Sequence, residues 1–261
     1  MPVAGGIWYE EHGPRDAPAL ILSPGLGGSG RYWEPNLPAL AERFHVVLYD
    51  HRGTGRSDRA LPDVVTVDQM GDDILTVIDA LGVAVATVIG HAAGGVAGLS
   101  LALRAPERVA RLVLVNAWSK PDPHFVRCFE TRLELLRKSG PRAYLHAQPL
   151  FLYPAVFISR MHEFLAAEEA DHLAHFAGAE AYEKRIAALM AFDADDQLGR
   201  VRVPTAVIAA EDDMLVPWTC SERIAEAIPA ATMALMGWGG HACNFTDTAT
   251  FNRLLLEILE D

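Results

Sequence analysis

Hydrophobic and polar positions along this chain follow two alternating rhythms. Short apolar runs rich in Val, Ile, Leu and Ala recur at 7–11, 19–23, 46–49, 87–89, 112–115, 206–210 and 232–235. Between them apolar residues return every third or fourth position, at 33–42, 67–81, 95–104, 221–227 and 248–259. Unbroken apolar runs suit strands buried on both faces, and the longer period suits helices with one buried stripe. Strand and helix in alternation predict an α/β fold, a mostly parallel sheet with helices on both faces. Loops rich in Gly and Pro, such as SPGLGGSG (23–30) and HRGTGRSD (51–58), separate the elements.

The rhythm breaks after Trp118. From Pro121 onward the chain offers amphipathic helical stretches only: FVRCFETRLELLRKSG, PRAYLHAQPLFLYP and a long segment over 163–189. Strand signals resume at Val203. This predicts a core of residues 1–120 and 198–261 with a helical cap at 121–197 between two strands. Such an insertion would close over the carboxyl ends of the strands, where open parallel sheets bind ligands. The plainer alternative is a helical subdomain with no role at the site.

Composition narrows the function classes. A chain of 261 residues, 51% hydrophobic and 21% charged, suits one large domain with an insertion. Its net charge of −12 argues against nucleic acid or an anionic membrane as partner. No apolar run reaches the roughly 18–20 residues that span a bilayer, and the first residues lack the pattern of an export signal. Cys128, Cys220 and Cys243 are spaced neither as a disulfide framework nor as a metal motif, so a reducing cytoplasm is expected. A small-molecule substrate is the expected partner, and a homodimer is compatible with the sequence.

The chemistry concentrates in residues 86–95, ATVIGHAAGG. A β-branched run ends at Gly90, and His91, Ala92, Ala93, Gly94 and Gly95 turn the chain into an apolar helix. This is the layout of the nucleophile elbow G-x-S-x-G, with Ala92 where the serine would stand. Downstream, Asp213 in EDDMLVP lies at the end of an apolar strand and four residues before Pro217, and Asp212 is the fallback acid. His241 in GWGGHAC follows the last strand, with two glycines before it to free the backbone. Elbow, acid and base come in the order of a hydrolase triad.

Residues 25–30, GLGGSG, also fit the dinucleotide fingerprint G-x-G-x-x-G, with Asp50 at the end of the next strand. Pro35 lies too close behind the loop for the long helix that fingerprint needs. The preferred reading is an oxyanion hole, with the Leu26 and Ala93 amides as donors, and no cofactor. Gly25, His91, Trp118 and Ser119 are the expected substrate-pocket residues. Cys243 is an alternative nucleophile, but a small buried thiol is the plainer reading. Ser23, Ser29 and Ser119 sit on no elbow. His172 and His175 lack further ligands for a metal, so no metal site is expected. Arg52 should pair with a carboxylate in a scaffold turn.

The elbow, YDHRGTGRSD, EDDMLVP and GGHACNFTD together resemble the α/β-hydrolases along the whole chain. More narrowly, PGLGGSGRYWEPNLPAL, VIGHAAGGVAG, QPLFLYPA and GGHACNFTD resemble the RutD family of bacterial pyrimidine utilisation, in uracil breakdown. The resemblance implies a hydrolase of carbamate, or of an aminoacrylate-type intermediate, and an alanine native to the elbow. Without an Oγ no acyl-enzyme can form at position 92. What is left is general acid–base chemistry by His241, its tautomer fixed by Asp213, with oxyanion stabilisation by two amides. A pseudo-hydrolase that binds a ligand without turnover, and a serine hydrolase inactivated by Ser→Ala, are the alternatives.

Overall fold

The computed structural model describes residues 2–260. The chain begins with strands β1 (Val3–Ala4), β2 (Ile7–His12) and β3 (Ala19–Ser23), followed by helix α1 (Leu37–Ala41) and strand β4 (His45–Tyr49). Helix and strand then alternate through α2 (Val67–Leu81), β5 (Ala86–His91), α3 (Ala93–Arg104) and β6 (Val109–Val115). Four helices follow: α4 (Pro123–Leu152), α5 (Ala155–Arg160), α6 (His162–Ala174) and α7 (Ala179–Ala191). The chain closes with β7 (Thr205–Ala210), α8 (Trp218–Ala227), β8 (Thr232–Met236), α9 (Cys243–Thr246) and α10 (Thr248–Glu260).

The eight strands form one sheet in the order β1-β2-β4-β3-β5-β6-β7-β8. The pairs β1·β2 and β2·β4 are antiparallel, and every pair from β4 to β8 is parallel. All residues of β3, β4 and β7 are buried, as expected of strands covered on both faces. One face packs against Ile74 and Val77 of α2, Val96 and Leu99 of α3 and Ile224 of α8. The other carries Leu40 of α1 with Phe251 and Leu255 of α10. Helix α2 starts in a capping box, with Thr66 accepting from Gln69 N–H and the Gln69 side chain accepting from Thr66 N–H, and it stops at left-handed Gly82.

The helices differ from the sequence expectation in detail. The stretch 33–42 is not one helix. A 3₁₀ turn over Gly30–Trp33 precedes α1, which begins only at Leu37. Pro35 has no N–H to extend the turn, although Glu34 before it keeps helical φ and ψ. The segment 163–189 divides into α6 and α7, with Gly178 at φ 100° as the N-cap of α7. Within α4, in contrast, the break agrees with the sequence: Gly140 at φ 83° and ψ 179° is non-helical, so two helical pieces meet at a kink where FVRCFETRLELLRKSG gives way to PRAYLHAQPLFLYP. The insertion touches loops at the carboxyl ends of the strands. Leu152 O accepts from Ala242 N–H at 3.0 Å, and His124 Nε2–H donates to Met214 O at 2.8 Å.

Candidate active site

Strand β5 feeds α3 through one residue, Ala92, at φ 48° and ψ −110°. Non-glycine residues rarely hold a positive φ, and such a backbone costs about 1–3 kcal/mol unless its surroundings impose it. The surroundings do so here. Ala92 N–H donates to Val115 O at 2.9 Å. A Cβ on Gly90 would collide with Gly94 O, and one on Gly94 with Ser23 O. The turn is therefore as tight as backbones allow, and two glycines make it so. It presents a methyl group that is 5% exposed.

The loop after β3 lies beside this turn, because Ser23 pairs in register with Gly90. Among the described residues, neither Leu26 N–H nor Ala93 N–H has a hydrogen-bond acceptor. Ala93 is the first residue of α3, so its amide has no partner within the helix and lies at the positive end of the helix dipole. Two free amides near one turn are what an anion-stabilising site requires.

Asp213 follows β7 and His241 follows β8, neighbouring parallel strands. His241 Nδ1–H donates to Asp213 Oδ2 at 2.7 Å, and both side chains are buried. The other carboxylate oxygen accepts from Leu215 N–H at 2.7 Å and Val216 N–H at 2.9 Å. The carboxylate is thus fixed before it meets the imidazole. With Nδ1 protonated, Nε2 is the free nitrogen, and it has no hydrogen-bond partner among the described residues. Asp212, the fallback acid, plays a different part: its Oδ1 accepts from Gly240 N–H at 2.8 Å and holds the histidine loop. That loop bends at Gly239 and Gly240, at φ 141° and 66°.

One further group has no counterpart among the residues expected from sequence. Asn116, at φ 47° just past β6, donates from Nδ2 to His241 O at 2.8 Å and Gly240 O at 3.3 Å. Its Oδ1 accepts from Ala210 N–H at 3.0 Å. A single amide therefore ties the histidine loop to two strands. The only local signal was an Asn directly after an apolar run, a residue that tolerates left-handed geometry.

The expected pocket residues take varied places. His91 Nε2–H donates to His241 O at 2.8 Å, and its ring sits 4.6 Å from the His241 ring and 4.7 Å from Tyr32. Burial, and then the nearby His241, hold its pKa well below the usual histidine value, so it is neutral. A Cβ on Gly25 would lie 2.8 Å from its Nδ1, so His91 fills the space between glycine loop and histidine loop. Trp118 is buried against Phe125, with centroids 4.5 Å apart. Ser119 Oγ–H donates to Asp195 Oδ1 at 2.6 Å, towards the base of the insertion.

The other candidates are occupied. Cys243 is fully buried, and burial pushes its thiol up to about 12, which keeps it protonated. The Ser23 hydroxyl shares a 2.6 Å hydrogen bond with Tyr49, and Ser29 caps the 3₁₀ turn through Arg31 N–H. Arg52 pairs with Asp73 at 2.9 Å. Asp50, the acid a dinucleotide would need, accepts from Gly30 N–H and from the Arg56 amide and guanidinium. Burial raises its pKa, but these donors outweigh burial and hold it below the usual carboxylate range. Among the described residues no group of three or more His, Cys, Asp or Glu is placed to hold a metal, and no helix is long and apolar enough to cross a membrane.

Known proteins resemble this chain in sequence and in fold. The family described as alpha/beta hydrolase fold matches residues 18–248. A Caulobacter vibrioides protein provisionally named carbamate hydrolase RutD is 54% identical over 257 residues, covering 98% of this chain and 96% of its own. A Rhizobium rhizogenes protein of the same provisional name is 50% identical over 253 residues, 96% of this chain and 97% of its own. Among solved structures, a hydrolase from Pseudomonas aeruginosa superposes with TM-score 0.88 at 28% identity, over 98% of this chain and 94% of that one. The enol-lactonase of Burkholderia xenovorans gives TM-score 0.88 at 26% identity, over 99% and 98%. These names and this fold support a hydrolase role.

Proposed function

The chain belongs to the alpha/beta-hydrolase family and, within it, to the RutD group, and we propose that it breaks down a small carbamate or aminoacrylate-type intermediate without a covalent intermediate. The observation that carries this reading is a buried imidazole, held by a carboxylate at 2.7 Å, beside an elbow whose residue has no atom to attack with. The base survives where the nucleophile does not. Chemistry that needs proton transfer alone fits that remainder.

Carbamate needs little more. Protonation of its nitrogen lets the C–N bond break with its electron pair going to nitrogen, so carbamate and one proton give ammonia and carbon dioxide. His241 first takes a proton from solvent on Nε2 to become an imidazolium, then passes that proton to the substrate nitrogen and returns to the Nδ1–H tautomer; Asp213 fixes that tautomer and stabilises the imidazolium, and the Leu26 and Ala93 amides hold the substrate oxygens. Aminoacrylate follows the same logic: a proton goes to carbon, then water adds to the imine and ammonia leaves. The likeness to RutD supports a place in pyrimidine breakdown. The methyl at Ala92 also favours a second reading, a protein that binds the small molecule without turning it over.

Ammonia release from freshly prepared carbamate and aminoacrylate, measured above the spontaneous rate, separates the two. His241→Ala should remove most of the excess, an effect of about 10²–10⁴-fold. Asp213→Asn should also lower it, through the wrong tautomer, and Ala92→Ser should leave it near the parent rate. Equal rates for His241→Ala and the parent on both substrates would leave the binding reading in its place.

A further inference from the structure

Arg185 stands on α7, the last helix of the insertion, and is 1% exposed. None of its three guanidinium nitrogens has a hydrogen-bond partner among the described residues. The other buried arginine of the insertion, Arg132, does better: it donates to Tyr144 Oη and Gln148 Oε1. Burial lowers the pKa of Arg185, while Tyr182, Tyr49, Tyr144 and Asp73 oppose the shift, and a guanidinium keeps its charge in a protein. A buried, charged group with five idle donors is among the least favourable things a fold can contain. Its presence calls for an acceptor that comes from outside.

The position of this cation points to the acceptor. Nη1 lies 2.8 Å from where a Cβ would stand on Gly28, a glycine at φ 79°. Gly28 is two residues past Leu26, so their Cα atoms are at most about 7.6 Å apart. The guanidinium therefore reaches the same loop that carries a free amide. His51 sits alongside, its Nε2–H donating to Pro24 O at 2.8 Å and its buried Nδ1 unpartnered. His51 and Arg185 share the wall of a cavity of about 330 Å³ with Arg52, Leu61, Met70 and Asp73. Asp73 does not answer the need, because it already pairs with Arg52 at 2.9 Å.

We propose that Arg185 is the carboxylate-binding residue of the substrate site. It takes the carboxylate of a small monocarboxylate, of one to three carbons, at the Gly28 end of the glycine loop. A planar fork of N–H donors matches a carboxylate in two parallel hydrogen bonds. The inference rests on the reading of the substrate given above, since carbamate and aminoacrylate both carry this group. It also gives the helical insertion a chemical role, because α7 delivers a cation to the core. In aminoacrylate the carboxylate is a spectator. In carbamate its charge fades as carbon dioxide leaves, so the guanidinium holds the ground state at least as firmly as the transition state. Arg185 thus contributes affinity more than rate.

Propionate serves as an unreactive probe and propionamide as its uncharged match. In ¹⁵N-labelled protein, propionate should shift the Arg185 Nε–H signal and the Leu26 and Gly28 amides saturably, and propionamide should not. Arg185→Met should weaken propionate binding by at least roughly tenfold and raise KM by a similar factor with kcat changed less than about threefold. It should leave Tm equal or higher, because an unpaired buried charge has gone; an arginine with a structural role would lower Tm instead. No shift in the parent protein, shifts confined to Leu61 and Met70, or unchanged affinity in Arg185→Met would each overturn the proposal. Propionate binding in a parent that turns over neither substrate would sink the hydrolytic reading and leave Arg185 as the anion-binding residue. Turnover without propionate binding would do the reverse.

Discussion

Ala92 keeps the backbone of a nucleophile without its hydroxyl, and the neighbouring residues explain why that backbone persists. Gly90, Gly94 and the Val115 carbonyl impose the turn whatever side chain it bears. The same logic separates reactive from inert groups nearby. Cys243 has its thiol pushed up to about 12 by burial, so at pH 7.5 it should take no adduct from iodoacetamide in the folded protein. Intact mass would check this, with the denatured chain as positive control. Asn116 is one of three residues, with Asp212 and His91, that hold the His241 loop. Asn116→Ala leaves the Ala210 amide and the Gly240 carbonyl short of a partner and His241 O with His91 alone, which should cost about 1–3 kcal/mol in denaturant unfolding. Turnover should fall with it, because the His241 loop loses one of its anchors. The Asp213–His241 pair was legible from spacing and strand ends. Asn116 was not, since its partners stand 94 to 125 residues away.

At the scale of elements, patterning found strands better than it found helix ends. Each of the seven runs lies within an observed strand; the runs of β3, β4 and β7 are buried throughout, whereas the edge strand β8 is mostly exposed or half-buried. The pattern missed only the two-residue β1, too short to show a period. Helices were harder: Pro35 and Gly178 divide stretches whose apolar period runs on, since periodicity registers the buried face and not the backbone break, whereas the break at Gly140 falls where the two sequence stretches meet. The elbow between β5 and α3 makes a testable contrast between glycines. Gly94→Ala drives a Cβ into the Ser23 and Pro24 backbones, where nothing flexible can yield, and should destabilise by about 3 kcal/mol or more. Gly27→Ala meets nothing within 4 Å and should stay within about 0.5 kcal/mol. Comparable thermal shifts for the two would show that the elbow is looser than its geometry.

At the scale of the whole molecule, buried neutral histidines tie stability to pH. Burial, and then Arg185, lower the pKa of His51 to about 3, and His91 is also held well below 6.5. Below pH 6.5 the unfolded chain binds protons at these rings that the folded chain refuses. Stability is therefore full above pH 6.5 and is lost as pH falls towards 3, by up to about 1.4 kcal/mol per pH unit for each ring. Urea unfolding from pH 7 to pH 5 should show this slope, and His51→Gln should reduce it; an unchanged slope would remove His51 from the account.

By itself the sequence determined the α/β alternation, the helical stretches between two strands, the tight turn that carries Ala92, and the order of Ala92, Asp213 and His241 along the chain. All of these are local signals: an apolar period, a turn residue, or a spacing along one segment. Tertiary structure alone decided that Asp212 accepts from Gly240 N–H, and that Asn116 and His91 hold the histidine loop. It also decided that Asp50 is taken by Arg56 and that Arg185 is buried with no partner. Each of these depends on which distant groups a side chain meets and on how much water reaches it. Pairing and burial are settled only when the strands and the insertion close on one another.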